Sequence, residues 1–96
     1  LMPAYVIAEI EVTDQALYAE YGKGVPATIE KFGGRFVVRG GEVRVLEGDD
    51  PPKRQVILEF PDMDTLQRWY DSEDYAPLLA MRLRAANASV LAVEGA

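Results

Sequence analysis

The chain contains no histidine and no cysteine. Without histidine it lacks the side chain that most often serves as a general base near neutral pH, an imidazole metal ligand, and any Ser-His-Asp relay. Without cysteine it has no disulfide, thiol nucleophile or thiolate metal site, and nothing in it points to an oxidising compartment. Chemistry therefore falls to carboxylates, tyrosine, arginine, lysine or the backbone, and the residues present call for no metal and no cofactor. Positive charge is scarce as well. Ten Lys and Arg against 16 Asp and Glu leave a formal net charge of −6, which opposes a nucleic-acid partner, because phosphate binding rests on clustered Lys and Arg. The long uncharged run that a membrane span needs is missing, and residues 1–5, LMPAY, lack the basic, apolar and small-residue succession of a secretory signal. Met2 reads as the native start. The expected location is the cytoplasm, with no membrane partner.

What is present suits a single folded domain spanning residues 1–96. Of its 96 residues 49% are hydrophobic and 27% charged, ordinary for a globular chain at a size where a second copy often adds stability. Residues 5–12, YVIAEIEV, alternate as a strand does. Thr13-Asp14 offers a cap, after which Leu17, Tyr21, Val25, Ile29 and Phe32 recur at helical spacing. Gly22, Gly24 and Pro26 interrupt that helix, and a kink or break is expected near residues 22–25. Gly33-Gly34 supplies a left-handed end cap.

A second strand begins at residues 35–38 and the β pattern resumes at 43–46, with Gly40-Gly41 between. That pair reads either as a hairpin turn or as a bulge bending one long strand, and the bend is preferred because it keeps four strands. Residues 48–53 form an exposed turn, and 55–60 the next strand, stopped by Pro61. Asp62 caps a helix with Met63, Leu66, Trp69 and Tyr70 on its apolar side; Ser72 or Asp74 restarts a second helical segment in which Tyr75, Leu78, Leu79, Arg82, Leu83 and Ala86 share a stripe. The last strand, 88–93, is apolar at nearly every residue and is expected to be covered on both faces.

The order β-α-β-β-α-β predicts an α+β, ferredoxin-like fold: an antiparallel sheet with both helices on one face. The other face would display Tyr5, Ile7, Val37, Leu46, Ile57, Leu91 and Val93, a larger apolar patch than monomers normally expose. A homodimer that buries it, sheet against sheet, is the expected assembly.

Candidate functional residues cluster in residues 59–82, EFPDMDTLQRWYDSEDYAPLLAMR. Trp69, Tyr70, Ser72 and Tyr75 flank the break between the two helical segments. They either line a ligand pocket against the sheet or, more simply, fill core and cap a helix. Arg82 either anchors an anion or snorkels to solvent or to a nearby Asp. A second set, Arg39, Glu59 and Glu9, falls by strand parity on the dimer face. One reading makes Glu59 a desolvated general base and Arg39 an electrostatic stabiliser; the other makes the set an interface ion-pair network. A one-residue bulge would reverse the faces. Tyr18 and Tyr21 sit beside the expected kink, as a gate or as plain curvature. The acidic groups Asp49-Asp50 and Asp71, Glu73, Asp74 lack calcium-loop spacing and read as solvated surface.

The ordered set FGGRFVVRGG (32–41), LEG (46–48), EFP (59–61), WYDSEDY (69–75), Arg82 and VEG (93–95) resembles the domain of unknown function 1330 family across essentially the whole chain. That family is similar to small cofactor-free monooxygenases, muconolactone isomerases and stress-responsive barrel proteins of the dimeric α/β-barrel superfamily. The resemblance implies the ferredoxin-like dimer and no particular reaction. Two functions stay open: a cofactor-independent enzyme acting on a small carbonyl-bearing or aromatic molecule, with Glu59 and Arg39 catalytic and Trp69, Tyr70, Ser72, Tyr75 and Arg82 holding it, or a non-catalytic small-ligand-binding or stress-related dimeric protein.

Overall fold

Strand β1 (Ala4–Val12) buries Ala4, Val6, Ala8 and Ile10 and turns Tyr5, Ile7 and Glu9 to the opposite side, as its period-2 pattern requires. The computed structural model describes residues 2–96. β1 is central. β3 (Arg54–Phe60) and β4 (Ala86–Glu94) flank it, and β2 (Arg35–Arg39) pairs with β3, giving the order β2-β3-β1-β4 with every neighbouring pair antiparallel. Each βαβ crossover is thus split by an antiparallel strand, which is the ferredoxin-like arrangement read from the sequence. Helices α1 (Gln15–Lys31), α2 (Met63–Tyr70) and α3 (Ala76–Ala85) cover one sheet face. There Ala4, Val6, Leu58 and Phe60 pack against Tyr21, Val25 and Ile29 of α1 and Leu66 and Trp69 of α2.

Helix α1 does not break. The Asp14 carboxylate accepts from the Leu17 N–H at 3.0 Å, and the helix runs through Pro26. Proline removes the N–H that would bond to the carbonyl four residues earlier, here that of Gly22. The Arg39 guanidinium donates to that same carbonyl at 3.2 Å, so the acceptor freed by Pro26 is used by β2. Gly33, at φ 75°, ends the helix as expected: its N–H donates to the Glu30 carbonyl and that of Gly34 to the Ile29 carbonyl. Gly24 lets α3 close on α1, because a Cβ there would lie 2.7 Å from Leu78 Cδ2.

The second strand departs further from expectation. β2 ends at Arg39, and residues 42–46 continue no strand; they belong to an irregular, exposed connection reaching to β3. The bulge lies between Phe36 and Val38 instead of at Gly40-Gly41. A stretch with Gly40-Gly41 at one end and Pro51-Pro52 at the other cannot hold a ladder within this chain, so Leu46 stands 89% exposed, away from the sheet. β4 follows α3 without a loop and starts at Ala86. It is an edge strand, not one covered on both faces, with Leu91 59% and Val93 42% exposed. On α3, Leu83 also points to solvent.

Candidate functional site

The helix break organises the site. Asp62 caps α2 through the Thr65 N–H at 2.8 Å, and the backbone bond to Thr65 followed by its side chain holds the Asp62 carboxyl below its ordinary pKa. Past the end of α2, the Ser72 hydroxyl donates to the Trp69 carbonyl at 2.7 Å and accepts from the Tyr75 N–H at 3.1 Å. Ser72 therefore joins the two helices and does not line the cavity bordered by Trp69 and Tyr75. Trp69 is 2% exposed. Its indole Nε1 donates to Thr28 Oγ1 at 3.0 Å, and Thr28 in turn donates to the Val25 carbonyl. Its ring lies 4.2 Å from that of Tyr75 and 5.2 Å from that of Phe60. Such pairs are favourable beyond their buried area, and Trp69 is first of all a core residue.

Tyr75 turns this core polar. Its hydroxyl lies 2.8 Å from that of Tyr21 on α1, and Arg82 Nε donates to it at 3.4 Å. Burial pushes the Tyr21 phenol well above its ordinary pKa, with Tyr75 adding to the rise. Around Arg82, burial works against the charge, but the hydrogen bond to Tyr75 and the phenolic oxygens of Tyr75, Tyr21 and Tyr70 more than offset it and keep the guanidinium above its usual value. Arg82 is charged at any physiological pH.

These groups border a cavity of about 40 Å³ between sheet and helices. Val6, Ala8, Ile10, Val56, Leu58 and Val90 make its floor, and Tyr18, Tyr21, Trp69, Tyr70, Tyr75 and Arg82 its walls. No carboxylate lines it. Tyr70, Val6 and Val90 also border a neighbouring groove of about 240 Å³ beside α2 and β4. Four of the five tyrosines of the chain meet here.

The second predicted set does not assemble. Because of the bulge in β2, Arg39 stands in register with Val56, an inward residue, and lies with its guanidinium 4.2 Å from the Phe36 ring centre. Glu59 stays on the opposite sheet face, accepting from the Tyr5 hydroxyl at 2.9 Å and from Arg35 Nε at 2.7 Å. The Tyr5 bond first, then Arg35, holds its pKa below the ordinary carboxylate range, and Glu59 in turn raises that of Tyr5. That is the reverse of the shift a general base near neutral pH needs. Glu9 forms no ion pair among the described residues. Among the described residues no group of three or more Asp and Glu could hold a metal ion, and no helix is long and apolar enough to cross a membrane.

The model of the family described as "Domain of unknown function (DUF1330)" matches residues 3–96. The chain belongs to the DUF1330 family. Among curated proteins the sequence has no match. Solved structures share the fold at low identity. A protein of unknown function from Rhodopseudomonas palustris superposes with a TM-score of 0.80 at 18% identity, over 99% of this chain and 83% of that one. A dimeric ferredoxin-like protein of unknown function from Jannaschia sp. CCS1 gives 0.72 at 13%, over 96% and 98%. SnoaB, a cofactor-independent oxygenase from Streptomyces nogalater, gives 0.62 at 11%, over 96% and 91%. These likenesses establish the ferredoxin-like fold of this DUF1330 chain; its site is defined by its own residues.

Of the predicted ligand-binding set, the structure brings Tyr70, Tyr75, Trp69 and Arg82 to one cavity and leaves Ser72 behind it. From the sequence, Tyr21 falls on the apolar stripe of α1, and Tyr18 and Tyr21 beside an expected kink that reads as a gate or as plain curvature; neither is among the predicted ligand-binding residues. Tyr21 was discoverable: it is the one hydroxyl on the otherwise apolar stripe Leu17, Val25, Ile29 and Phe32, and a buried tyrosine hydroxyl usually has a partner. Raising the pH checks its setting. A phenol whose folded pKa is raised stabilises the fold fully below its unfolded value, about 10, and that stability drains away as pH climbs toward the folded value. Stability should hold to about pH 10 and fall above it, with Tyr21 ionising only on unfolding, as absorbance of phenolate and circular dichroism recorded together would show.

Proposed function

We propose that this DUF1330 protein is a homodimer, joined through its outer sheet face, that binds a small molecule between sheet and helices in each copy. The observation that carries the reading is the chain Tyr21–Tyr75–Arg82, a buried polar cluster on the wall of an otherwise apolar cavity. Ligand sites are typically apolar with a few convergent polar groups. The dimer is supported by the half-open apolar surface of Tyr5, Ile7, Val37, Ile57, Leu91 and Val93 and by relatives described as dimeric ferredoxin-like proteins.

Chemistry on the bound molecule is the second reading, favoured by the fold shared with the oxygenase SnoaB. Glu59 and Arg39 would not serve it in this cavity, since neither lines it. Tyr21, Tyr75 and Arg82 would, as proton donors and electrostatic stabilisers. The absence of a carboxylate from the lining favours binding over base catalysis.

Filling the floor tests the reading. Ala8 is buried and lines the cavity, and Ala8→Val adds two methyl groups in a residue type suited to a strand. In a fragment library followed through Trp69 fluorescence, some compounds should change the emission of the natural protein and none that of Ala8→Val. Fragment responses that survive Ala8→Val would place binding elsewhere and defeat the proposal.

A further inference from the structure

Around the cavity the hydrogen-bond donors outnumber the acceptors. Tyr21 and Tyr75 share one bond between two hydroxyls, so one of their two protons has no acceptor within the pair, whichever way the bond runs. A guanidinium carries five N–H donors. Among the described residues Arg82 uses one, the Nε bond to Tyr75, and no acidic group lies within ion-pair distance of it. It does not snorkel either, being 5% exposed. Among the described residues no fully buried side-chain nitrogen is left unpaired, so the unused terminal nitrogens keep some exposure, and Arg82 lines the cavity. A charge this deep is costly unless something pairs with it, and the acids nearest in sequence do not: Asp71, Glu73 and Asp74 are exposed, and Asp74 holds Lys31 at 2.6 Å.

We infer that the cavity binds a small carboxylic acid as its anion, the two carboxylate oxygens accepting from the terminal N–H groups of Arg82 and from the spare hydroxyl of the Tyr21–Tyr75 pair. The inference rests on the small-molecule reading above and specifies its ligand. A planar guanidinium fork matches a planar carboxylate. One cation among aromatic rings suits a monoanion; a phosphate would call for further cations, which neither the lining nor the net charge of −6 supplies. The 40 Å³ space holds little beyond the carboxylate, and Tyr70, Val6 and Val90 border both it and the 240 Å³ groove that Leu66, Gln67 and Ala92 also line. The body of the acid runs past Tyr70 into that groove, and is therefore short and apolar or aromatic.

Three acids with their uncharged amides decide the matter: benzoate, phenylacetate and hexanoate against benzamide, phenylacetamide and hexanamide, titrated into the full chain and followed by Trp69 fluorescence and calorimetry, with inorganic phosphate alongside. At least one acid should bind about tenfold or more tighter than its amide, as charge-assisted bidentate bonding favours, and better than phosphate. Arg82→Met should erase the acid-over-amide preference, weakening acid binding far more than amide binding. Arg82→Lys keeps the charge without the fork and should retain a reduced preference, so the inference stays testable if the methionine variant folds poorly. Equal binding of acids and amides, blocked by Ala8→Val, would overturn the carboxylate assignment and leave the cavity reading standing. An acid preference that persists in Arg82→Met, or tighter binding of phosphate, would also overturn it. If no acid or amide perturbs the natural protein, both readings fall together.

Discussion

Trp69→Ala is expected to cost about 3–5 kcal/mol, the usual penalty for deleting a buried aromatic ring, out of the roughly 5–15 kcal/mol that holds a domain of this kind together. Two losses coincide at this position. The ring is 2% exposed and is flanked by Phe60, Tyr70 and Tyr75, so a cavity opens where no single neighbour can move in. Thr28 loses the indole N–H that it accepts. The bonds of Ser72 to the backbone carbonyl of residue 69 and to the Tyr75 N–H do not involve the indole and survive the substitution. With a urea slope of about 1–3 kcal/mol per molar, the midpoint read by circular dichroism at fixed protein concentration should fall by about 2 M. Trp69→Phe keeps most of the ring and should lose well under half as much. A fall no larger for alanine than for phenylalanine would show that the wall of the cavity is not part of the core.

Ile7→Asp is expected to leave the fold intact and abolish the dimer. Ile7 is on the central strand, in register with Ile57 on one side and Leu91 on the other, so it stands at the middle of the outer face. In a single chain that position is only half covered, and an aspartate there reaches water. Between two sheets it does not, and in a symmetric dimer both copies carry it. An unpaired buried carboxylate costs several kcal/mol. At about 1.4 kcal/mol per tenfold, association should weaken by roughly 100-fold or more. Sedimentation should show the natural protein as a dimer and Ile7→Asp as a monomer at micromolar concentration, with the same far-ultraviolet spectrum. A monomeric natural protein, or a dimer indifferent to Ile7→Asp, would remove the outer face as the interface. The Tyr5–Glu59–Arg35 group lies on that face as well, and the interface reading gives Glu59 a setting that requires no catalysis.

Periodicity in the sequence was enough for the elements and their order. Ala4, Val6, Ala8 and Ile10 alternate with outward residues, the α1 stripe repeats every three or four positions, and the caps Asp14, Asp62 and Gly33-Gly34 lie where the helices start or stop. These are local patterns, and backbone geometry reads them within a turn or a pleat. The charge deficit and the lack of His and Cys narrowed the chemistry in the same direct way. The sequence also placed Tyr70, Tyr75, Trp69 and Arg82 within one short stretch.

What lay beyond it were events set by partners distant along the chain. Pro26 is tolerated inside α1 because Arg39, on a different element, takes up the Gly22 carbonyl. A single extra residue between Phe36 and Val38 turned Arg39 to the helix side and parted it from Glu59, and nothing in RFVVR marks which residue bulges. Tyr21 and Tyr75 are far apart in sequence, yet their hydroxyls meet at 2.8 Å, and only the packing of α1 against the start of α3 brings them there. The sequence by itself thus determined the fold, the donor-rich residue set and the lack of imidazole and thiol groups. The tertiary structure alone decided that Arg82 is buried without an acidic partner, because burial and pairing are properties of the assembled core and not of the stripe on which the residue lies.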